Sequence, residues 1–469
     1  MRLLAATLPL ALVLGSTVIG TARGEATAPP PTLYVSPTGD DGAAGTRDAP
    51  LRTPQVAVDR LVSGGVVRLL PGTYARTRIV LRGRHDLTVT ATRPGAAVLD
   101  ERGLVPLDGQ SGVVQIQNSS RITVRGLDIR GYRTTSMAKV PIGIYVTGHG
   151  SRITLAHNHV HRMGNDNATL GSFDINAHGI AAYGRSPSRP ITRLRIRDNE
   201  VDHLHLGASE SVVVNGNVTR WQITGNHIHD DNNIGIDAIG WEGTVPGGHR
   251  YAHVDQARRG VIAGNTVSRI ISRGNPSYWE GDGWCNCADG IYLDGAGQVD
   301  VRHNVVRSSD IGIEVGAENP RGHADRVRVR GNRVSGSRYV GLALGGYSPS
   351  RGEVYGVRVT GNHFRDDNTL RDGSPELLLQ FKLHETSIVG NTVVATHRAT
   401  PLLLQRNRLV GPRRLNAHVR LDHNRYAAPV RASRAQFVWL GRRLTGFRTY
   451  VQRSRQDSHS HYRARVPTT

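Results

Sequence analysis

The chain predicts an all-β protein, a single-stranded right-handed parallel β-helix (solenoid) with an N-terminal capping helix, and three observations carry that reading. Aromatic residues are only 5% of the 469 residues while Gly numbers 55, a balance that suits many short strands and tight turns better than long helices. Short apolar strands repeatedly end in an Asn followed by another apolar residue, as in Leu155-Ala156-His157-Asn158-His159-Val160 and Ile223-Thr224-Gly225-Asn226-His227-Ile228. Asn199, Asn265, Asn304, Asn332, Asn362, Asn391, Asn407 and Asn424 continue the series, with spacings near 28 to 30 from Asn304 to Asn391, in the range of a solenoid repeat. Asn tolerates a left-handed backbone and bonds its own turn, so a recurrent Asn marks one corner per coil. A second strand recurs within the unit, opened by Gly and an apolar residue: Gly143-Ile144, Gly179-Ile180, Gly235-Ile236, Gly290-Ile291, Gly312-Ile313 and Gly341-Leu342. With the residue after Gly pointing inward, alternation sends Tyr145 and Thr147, Asp237 and Ile239, Tyr292 and Asp294, Glu314 and Gly316, and Ala343 and Gly345 outward.

Taken in order along the chain, residues 1–28 read as an export signal: Arg2 precedes an apolar run from Leu3 to Ile19, and Ala26-Thr27-Ala28 is a small-residue cleavage site before Pro29-Pro30-Pro31. No other apolar run approaches membrane-spanning length, so the mature chain is expected to be secreted, extracellular and free of the membrane. Residues 29–111 form the N-terminal cap and first coils. There Thr53 is the expected N-cap and Pro54 the first residue of a short helix carrying Val56, Leu61 and Val62, which covers the exposed end of the solenoid. Residues 112–433 carry the coils and the catalytic face, and 434–469 terminate the same domain.

The net charge of +21 comes almost wholly from Arg, since Lys139 and Lys382 are the only lysines. No nucleic-acid module accompanies it, so nucleic acid is not an expected partner, and attraction to an anionic polysaccharide or cell wall fits better. Cys285 and Cys287, the only cysteines, cannot make a four-ligand zinc site; a local disulfide and two buried thiols are both open.

Two resemblances follow from quoted residues. Thr32-Leu33-Tyr34-Val35-Ser36-Pro37-Thr38-Gly39-Asp40-Asp41, the helix at Thr53 and Val66-Val67-Arg68-Leu69-Leu70-Pro71-Gly72-Thr73-Tyr74 resemble the opening segment of secreted pectate-lyase-like β-helix proteins. That superfamily holds lyases, hydrolases and epimerases, so the likeness implies fold rather than activity. Gly290-Ile291-Tyr292-Leu293-Asp294 followed by Asp310-Ile311-Gly312-Ile313-Glu314-Val315 is similar to the β-helix glycosidases of the family 120 β-xylosidase type. The resemblance implies Asp294 as nucleophile and Glu314 as acid/base; Tyr292 stands where that motif has Trp, and Gly295 where an aromatic residue is usual.

Coil geometry bears on the same pair. With coils about 4.8 Å apart and about 3.3 Å per residue, Asp294 and Glu314, one coil apart and offset by two, have Cα atoms roughly 8 Å apart. Side chains leaning together reach about 5.5 Å, the separation of a retaining glycosidase. Asp237 shares the column of Glu314 two coils away, roughly 10 Å, which suits an inverting pair. Stacked carboxylates repel, so one is pushed toward its protonated form. Around them Tyr292, Trp241, Glu242, Trp279, Trp284, Asp289, Glu318 and Tyr347 are the expected substrate-binding residues, flat rings stacking on sugar faces, with the insertion from Ile271 to Ala288 as a wall.

The function expected from the sequence is therefore a secreted, monomeric, carbohydrate-active enzyme, a glycoside hydrolase needing no cofactor and no metal. A polysaccharide lyase or uronate epimerase is the alternative; it needs a Lys, Arg or His base, with Arg273, His249 or Arg321 as candidates and Ca²⁺ possible. A non-enzymatic polysaccharide-binding solenoid is the second alternative. Asp230-Asp231-Asn232-Asn233 and Asp366-Asp367-Asn368 read as solvated turns, and no carboxylate and His stand at zinc-ligand spacing in the sequence.

Overall fold

The computed structural model describes residues 30–62, 64–405 and 418–464, and only the backbone at His249. The export segment at 1–28 and Asn407 lie outside them. No helix among the described residues is long and apolar enough to cross a membrane.

Each coil contributes three short strands, and like strands of successive coils pair in parallel, so the chain builds three stacked faces. A first face runs through Arg195–Arg197, Gln222–Thr224, Val261–Ala263 and Asp300–Arg302. A second runs through Glu200–Asp202, His227–Asp231, Thr266–Ile270 and Val305–Arg307. The third runs through Val212–Gly216, Ile236–Ile239, Asp289–Asp294, Ile311–Gly316 and Val340–Leu344. The fold is thus an all-β solenoid, a parallel β-helix. Its interior is three apolar columns, one per face: Ile196, Ile223, Ile262 and Val301; Val201, Ile228, Val267 and Val306; and Val212, Ile236, Ile291 and Ile313, all without solvent exposure. Each such side chain removed from water contributes roughly 1.5–3 kcal/mol, which is why the pattern repeats coil after coil.

The corner between the first and second faces is a ladder of buried Asn. The Asn265 amide nitrogen donates to Asn304 Oδ1 at 2.9 Å and to Ile223 O at 3.0 Å, and Asn304 donates in turn to Asn332 Oδ1 at 3.0 Å. The ladder runs from Asn158 to Asn424, whose amide donates to Asp457 at 2.9 Å. The left-handed residue of each corner is the one before the Asn: His157, Asp198, Gly225, Gly264, His303 and Gly331 have φ between 53° and 66°. The Asn is retained for its amide, which satisfies backbone groups of two neighbouring coils where no water reaches.

The recurrent Gly of the third face has a different cause. A Cβ on Gly290 would lie 2.4 Å from Val306 Cγ1, and one on Gly312 would lie 2.3 Å from Val334 Cγ1. Here the two faces meet too closely for any side chain.

Two expectations are corrected. In the capping helix Pro54–Arg60 the buried side chains are Pro54, Ala57 and Val58, and Leu61 and Val56 join the core as expected, while Val62 is 66% exposed; the Thr53 hydroxyl donates to Asp41 at 2.5 Å instead of capping the helix. The acidic runs are not solvated turns. Asp231 is buried, accepting from Leu204 N at 2.8 Å and Ser211 Oγ at 2.6 Å, and Asp367 is buried, accepting from Ser337 N at 3.0 Å. These carboxylates bond amides and hydroxyls of adjoining coils, which is what buries them.

At the far end the hairpin Gln436–Trp439 with Arg442–Thr445 and the helix Phe447–Ser454 close the solenoid. Phe437 stacks on Tyr450 at 4.2 Å, and Asp457 accepts from the hydroxyls of Tyr450 and Tyr426 at 2.7 and 3.0 Å.

Candidate active site

The third face carries a cleft of about 1030 Å³, and its floor is the outward column that alternation predicts. Asp237 pairs with Tyr292, Tyr292 with Glu314, and Glu314 with Ala343; Asp294 lies opposite Gly316. Asp294 and Glu314 are therefore one coil apart and two positions offset, and Asp237 is two coils from Glu314 in the same column. Apolar clusters flank this acidic stretch on the same face, Ile142, Tyr145, Ala181 and Val213 on one side and Ile311, Val340, Ala343 and Leu378 on the other.

Walls come from loops between coils. The segment from Ile271 to Ala288 is held by buried Asp310, which accepts from Ser272 N and Oγ at 2.7 and 2.6 Å and from Arg338 at 2.9 Å. Asn275 fastens it further, donating to Gly207 O at 2.7 Å and Asn232 O at 2.9 Å. The rings of Trp279 and Trp284 pack edge to face at 5.1 Å on this wall, and Cys285 and Cys287 are joined by a disulfide. Tyr347, 44% exposed, also lines the cleft, with the Arg351 guanidinium 4.4 Å over its ring.

Of the residues the sequence singled out, Asp237, Asp289, Tyr292, Asp294, Glu314, Glu242, Glu318, Trp279, Trp284 and Tyr347 all line the cleft. Trp241 does not. Its indole nitrogen donates to Gly295 O at 3.1 Å and His323 O at 3.0 Å, its carbonyl accepts from Asn319 at 2.7 Å, and its ring lies 4.5 Å from His323. It pins the loop after Asp237 to the loop after Glu318. Three lining carboxylates went unseen in the sequence: Glu210, which is buried, and the exposed Glu280 and Asp372.

Nine carboxylates thus line the cleft, Glu210, Asp237, Glu242, Asp289, Asp294, Glu314 and Glu318 together with Glu280 and Asp372, and no Lys, Arg or His is among the described residues that line it. Arg273 and Arg321 are not in the lining. The electrostatic consequence is uniform. Burial, then the charge of Glu318, pushes Glu314 up to about 8. Burial, then the neighbouring Glu318 and Glu242, pushes Glu210 up to about 8. Asp237 is held well above the usual carboxylate range by burial and then by Glu210, Asp294 and Asp289. Asp294 is raised by burial and the charge of Glu318, with the Glu318 amide, donating to its Oδ1 at 2.7 Å, working the other way.

Two contacts distinguish the carboxyls. Glu314 receives a long side-chain donor, Gln380 Nε2, at 3.4 Å to its Oε1. Asp294 receives a backbone donor, the contact that favours an ionised carboxylate. A proton-holding acid and a backbone-supported carboxylate sit one coil apart.

Across residues 142–364 the chain matches the model of the right handed beta helix region. The uncharacterized protein YwoF of Bacillus subtilis (strain 168) is 31% identical over 366 residues, covering 77% of this chain and 74% of YwoF. The pectate lyase PEL9 of Emericella nidulans is 30% identical over 140 residues, 27% of this chain and 33% of the lyase. The GH136 lacto-N-biosidase from Eubacterium ramulus superposes with a TM-score of 0.56 over 84% of this chain and 67% of that one at 12% identity, a likeness of fold.

Proposed function

Because the chain belongs to the right-handed parallel β-helix superfamily, we propose that it is a secreted, monomeric carbohydrate-active enzyme, a glycoside hydrolase acting on an oligosaccharide or polysaccharide. The observation that carries this reading is the convergence of nine carboxylates in a cleft lined by no basic side chain among the described residues. Hydrolysis of a glycosidic bond needs two carboxyl groups in different protonation states flanking the scissile oxygen. Glu314, raised to about 8, holds the proton that is passed to the leaving oxygen. Asp294, supported by the Glu318 amide, attacks the anomeric carbon; their offset of one coil and two residues suits the spacing of a retaining pair. Glu314, having lost its proton, then takes one from the water that releases the sugar. Trp279, Trp284 and Tyr347 offer ring faces for the flanking sugars. No metal is needed for these steps. The disulfide Cys285–Cys287 fits the oxidising compartment that an N-terminal export signal implies.

A lyase is the second reading, favoured by the likeness to the fungal pectate lyase. It wants a base to take a proton beside a uronate carboxylate, with Ca²⁺ to neutralise that carboxylate, and a floor of carboxylates repels an anionic sugar until a cation is bound. The discriminating experiment incubates the protein with aryl-glycosides, neutral oligosaccharides and uronate polymers. Reducing sugar without ultraviolet absorbance, insensitive to chelator and lost in Asp294→Asn and Glu314→Gln, is the expected outcome. An unsaturated, chelator-sensitive product replaces hydrolase with lyase. Sugar binding without turnover in wild type leaves a binding solenoid.

A further inference from the structure

The geometry points to a divalent transition-metal site on the second face, away from the cleft, built from Asp128, His159 and His161 and extended by Glu200 and Asp202. The strands Leu127–Arg130, His159–His161 and Glu200–Asp202 pair in parallel. His159 therefore lies opposite Asp128 on one side and Glu200 on the other, and His161 lies opposite Arg130 and Asp202. Alternation puts both histidines of the strand on the outer surface, where their rings stack at 3.9 Å and 7°. A carboxylate is thus offered to each imidazole from a neighbouring coil.

The ligand atoms converge. His161 Nε2 lies 3.1 Å from Asp128 Oδ1, and His159 Nδ1 lies 3.8 Å from Asp128 Oδ2. His159 Nε2 lies 2.6 Å from Asp202 Oδ2. One set, Asp128, His159 and His161, has its ligand atoms all within 4.8 Å of one another, and so does a second, His159, Glu200 and Asp202, which shares His159 with the first. Ligands bound to one ion at about 2.0–2.1 Å stand roughly 3.3 Å apart in a tetrahedron, so small side-chain adjustments suffice. Arg130, the cation nearest in register, is turned away, its guanidinium donating to Asp100 at 3.1 and 3.2 Å.

Two imidazoles and one carboxylate, with positions left for water, are donors for Zn²⁺, Co²⁺, Ni²⁺ or Cu²⁺ rather than for Ca²⁺, which takes oxygen ligands. His161 is 7% exposed at its side chain and His159 33%, so the pocket has a firm wall and an open mouth. An ion on the Asp128 side of His159 ties the coil of Asp128 to that of His159 and His161, while Asp202, on the other ring nitrogen, orients the imidazole. The sequence hides this, because each partner comes from a different coil, 33 residues from His161 to Asp128 and 43 from His159 to Asp202.

The test titrates Co²⁺, then Zn²⁺, into the chelator-stripped full chain, reading visible d–d absorption, calorimetry and Tm. Stoichiometric Co²⁺ absorption displaced by Zn²⁺, a Tm raised by Zn²⁺, and affinity weakened roughly 100-fold or more in His159→Ala and Asp128→Asn, with His303→Ala unchanged, are expected. Far-UV circular dichroism shows that each variant is folded before titration, and Glu200→Gln and His161→Gln replace any that is not. Absence of stoichiometric binding overturns the site. So does binding that survives these substitutions, which marks adventitious capture by scattered surface histidines.

Discussion

The third and second faces are made the same way, outward columns on parallel strands, and they end in opposite electrostatic states. In the cleft a carboxylate meets another carboxylate one or two coils along, as Asp237 and Glu314 do across Tyr292, and every resolved shift there is upward. On the second face a carboxylate meets a histidine. Burial works to raise Asp202, yet the hydrogen bonds from His159 and His203 outweigh it and hold the group down to about 2. The backbone is the same; the residue placed opposite decides whether a carboxyl stores a proton or a charge. The cleft stores protons, which costs stability as pH rises, and a store of protons at neutral pH is what general acid catalysis requires.

The largest expected effect breaks the comparison at its chemical end. Asp294→Asn or Glu314→Gln lowers kcat by about 10³-fold or more on whichever aryl-glycoside the wild type cleaves, because a nucleophile or an acid is gone while the cleft keeps its shape. Neither variant loses stability, since Asp294→Asn takes one charge from a crowd of like charges and Glu314→Gln replaces a carboxyl that is already neutral. Asp202→Asn, made on the second face, leaves turnover unchanged. Equal loss of activity in all three variants, read alongside circular dichroism, refutes a cleft-specific role.

Stability against pH separates the faces next. Glu210 has a folded value near 8, above the ordinary 4.5, so its contribution is fully present below about pH 4.5 and is lost as pH rises through about 8. Glu210→Gln has no such group, and urea unfolding should show the variant gaining about 2 kcal/mol on wild type between about pH 5 and about pH 8, with allowance for protons shared among neighbours. A constant difference across that range contradicts a buried, proton-holding Glu210.

Glu318 then sharpens which group sets the basic limb. Its charge is the first cause after burial of the raised Glu314 and Asp294. Glu318→Gln removes that charge, so Glu314 gives up its proton at lower pH and the basic limb of the rate profile moves down, by about one unit, with kcat reduced about tenfold. A limb that stays in place assigns the acid to another carboxyl of the cleft.

These sites differed in how far the sequence revealed them. The Gly that opens these third-face strands, needed because a Cβ strikes a Val of the second face, or Asp367 at Gly341, fixes which residues point outward, and Asp237, Tyr292 and Glu314 fall into one column from that signal alone. Glu210 escaped because its coil has Ser211 where the others have Gly, the Ser hydroxyl being turned to Asp231 at 2.6 Å. Trp241 looked like a sugar platform because a loop Trp beside a carboxylate strand usually is one; only the carbonyls of Gly295 and His323 from distant coils reveal it as a pin. The Asn corners were plain, but their meaning was not. Consecutive Asn are 41 residues apart at Asn158 and 27 at Asn199, so the ladder of amides exists in space and not at a constant period.

The smallest expected effect has the opposite sign from Glu210, and for that reason tests the comparison most directly. Asp202 lies below its ordinary value, so its contribution is present above the unfolded value near 3.8 and is lost as pH falls toward about 2. Asp202→Asn should therefore cost about 1 kcal/mol near pH 7, discounted because the His203 partner is half exposed, and nothing at about pH 2. The same scan applied to Glu210→Gln runs the other way, the wild type faring relatively worse at high pH. Two carboxylates on adjoining faces, buried to similar degree, must give slopes of opposite sign, because one is paired with imidazoles and the other with acids. Slopes of the same sign mean that burial alone governs both, and the residue opposite does not decide.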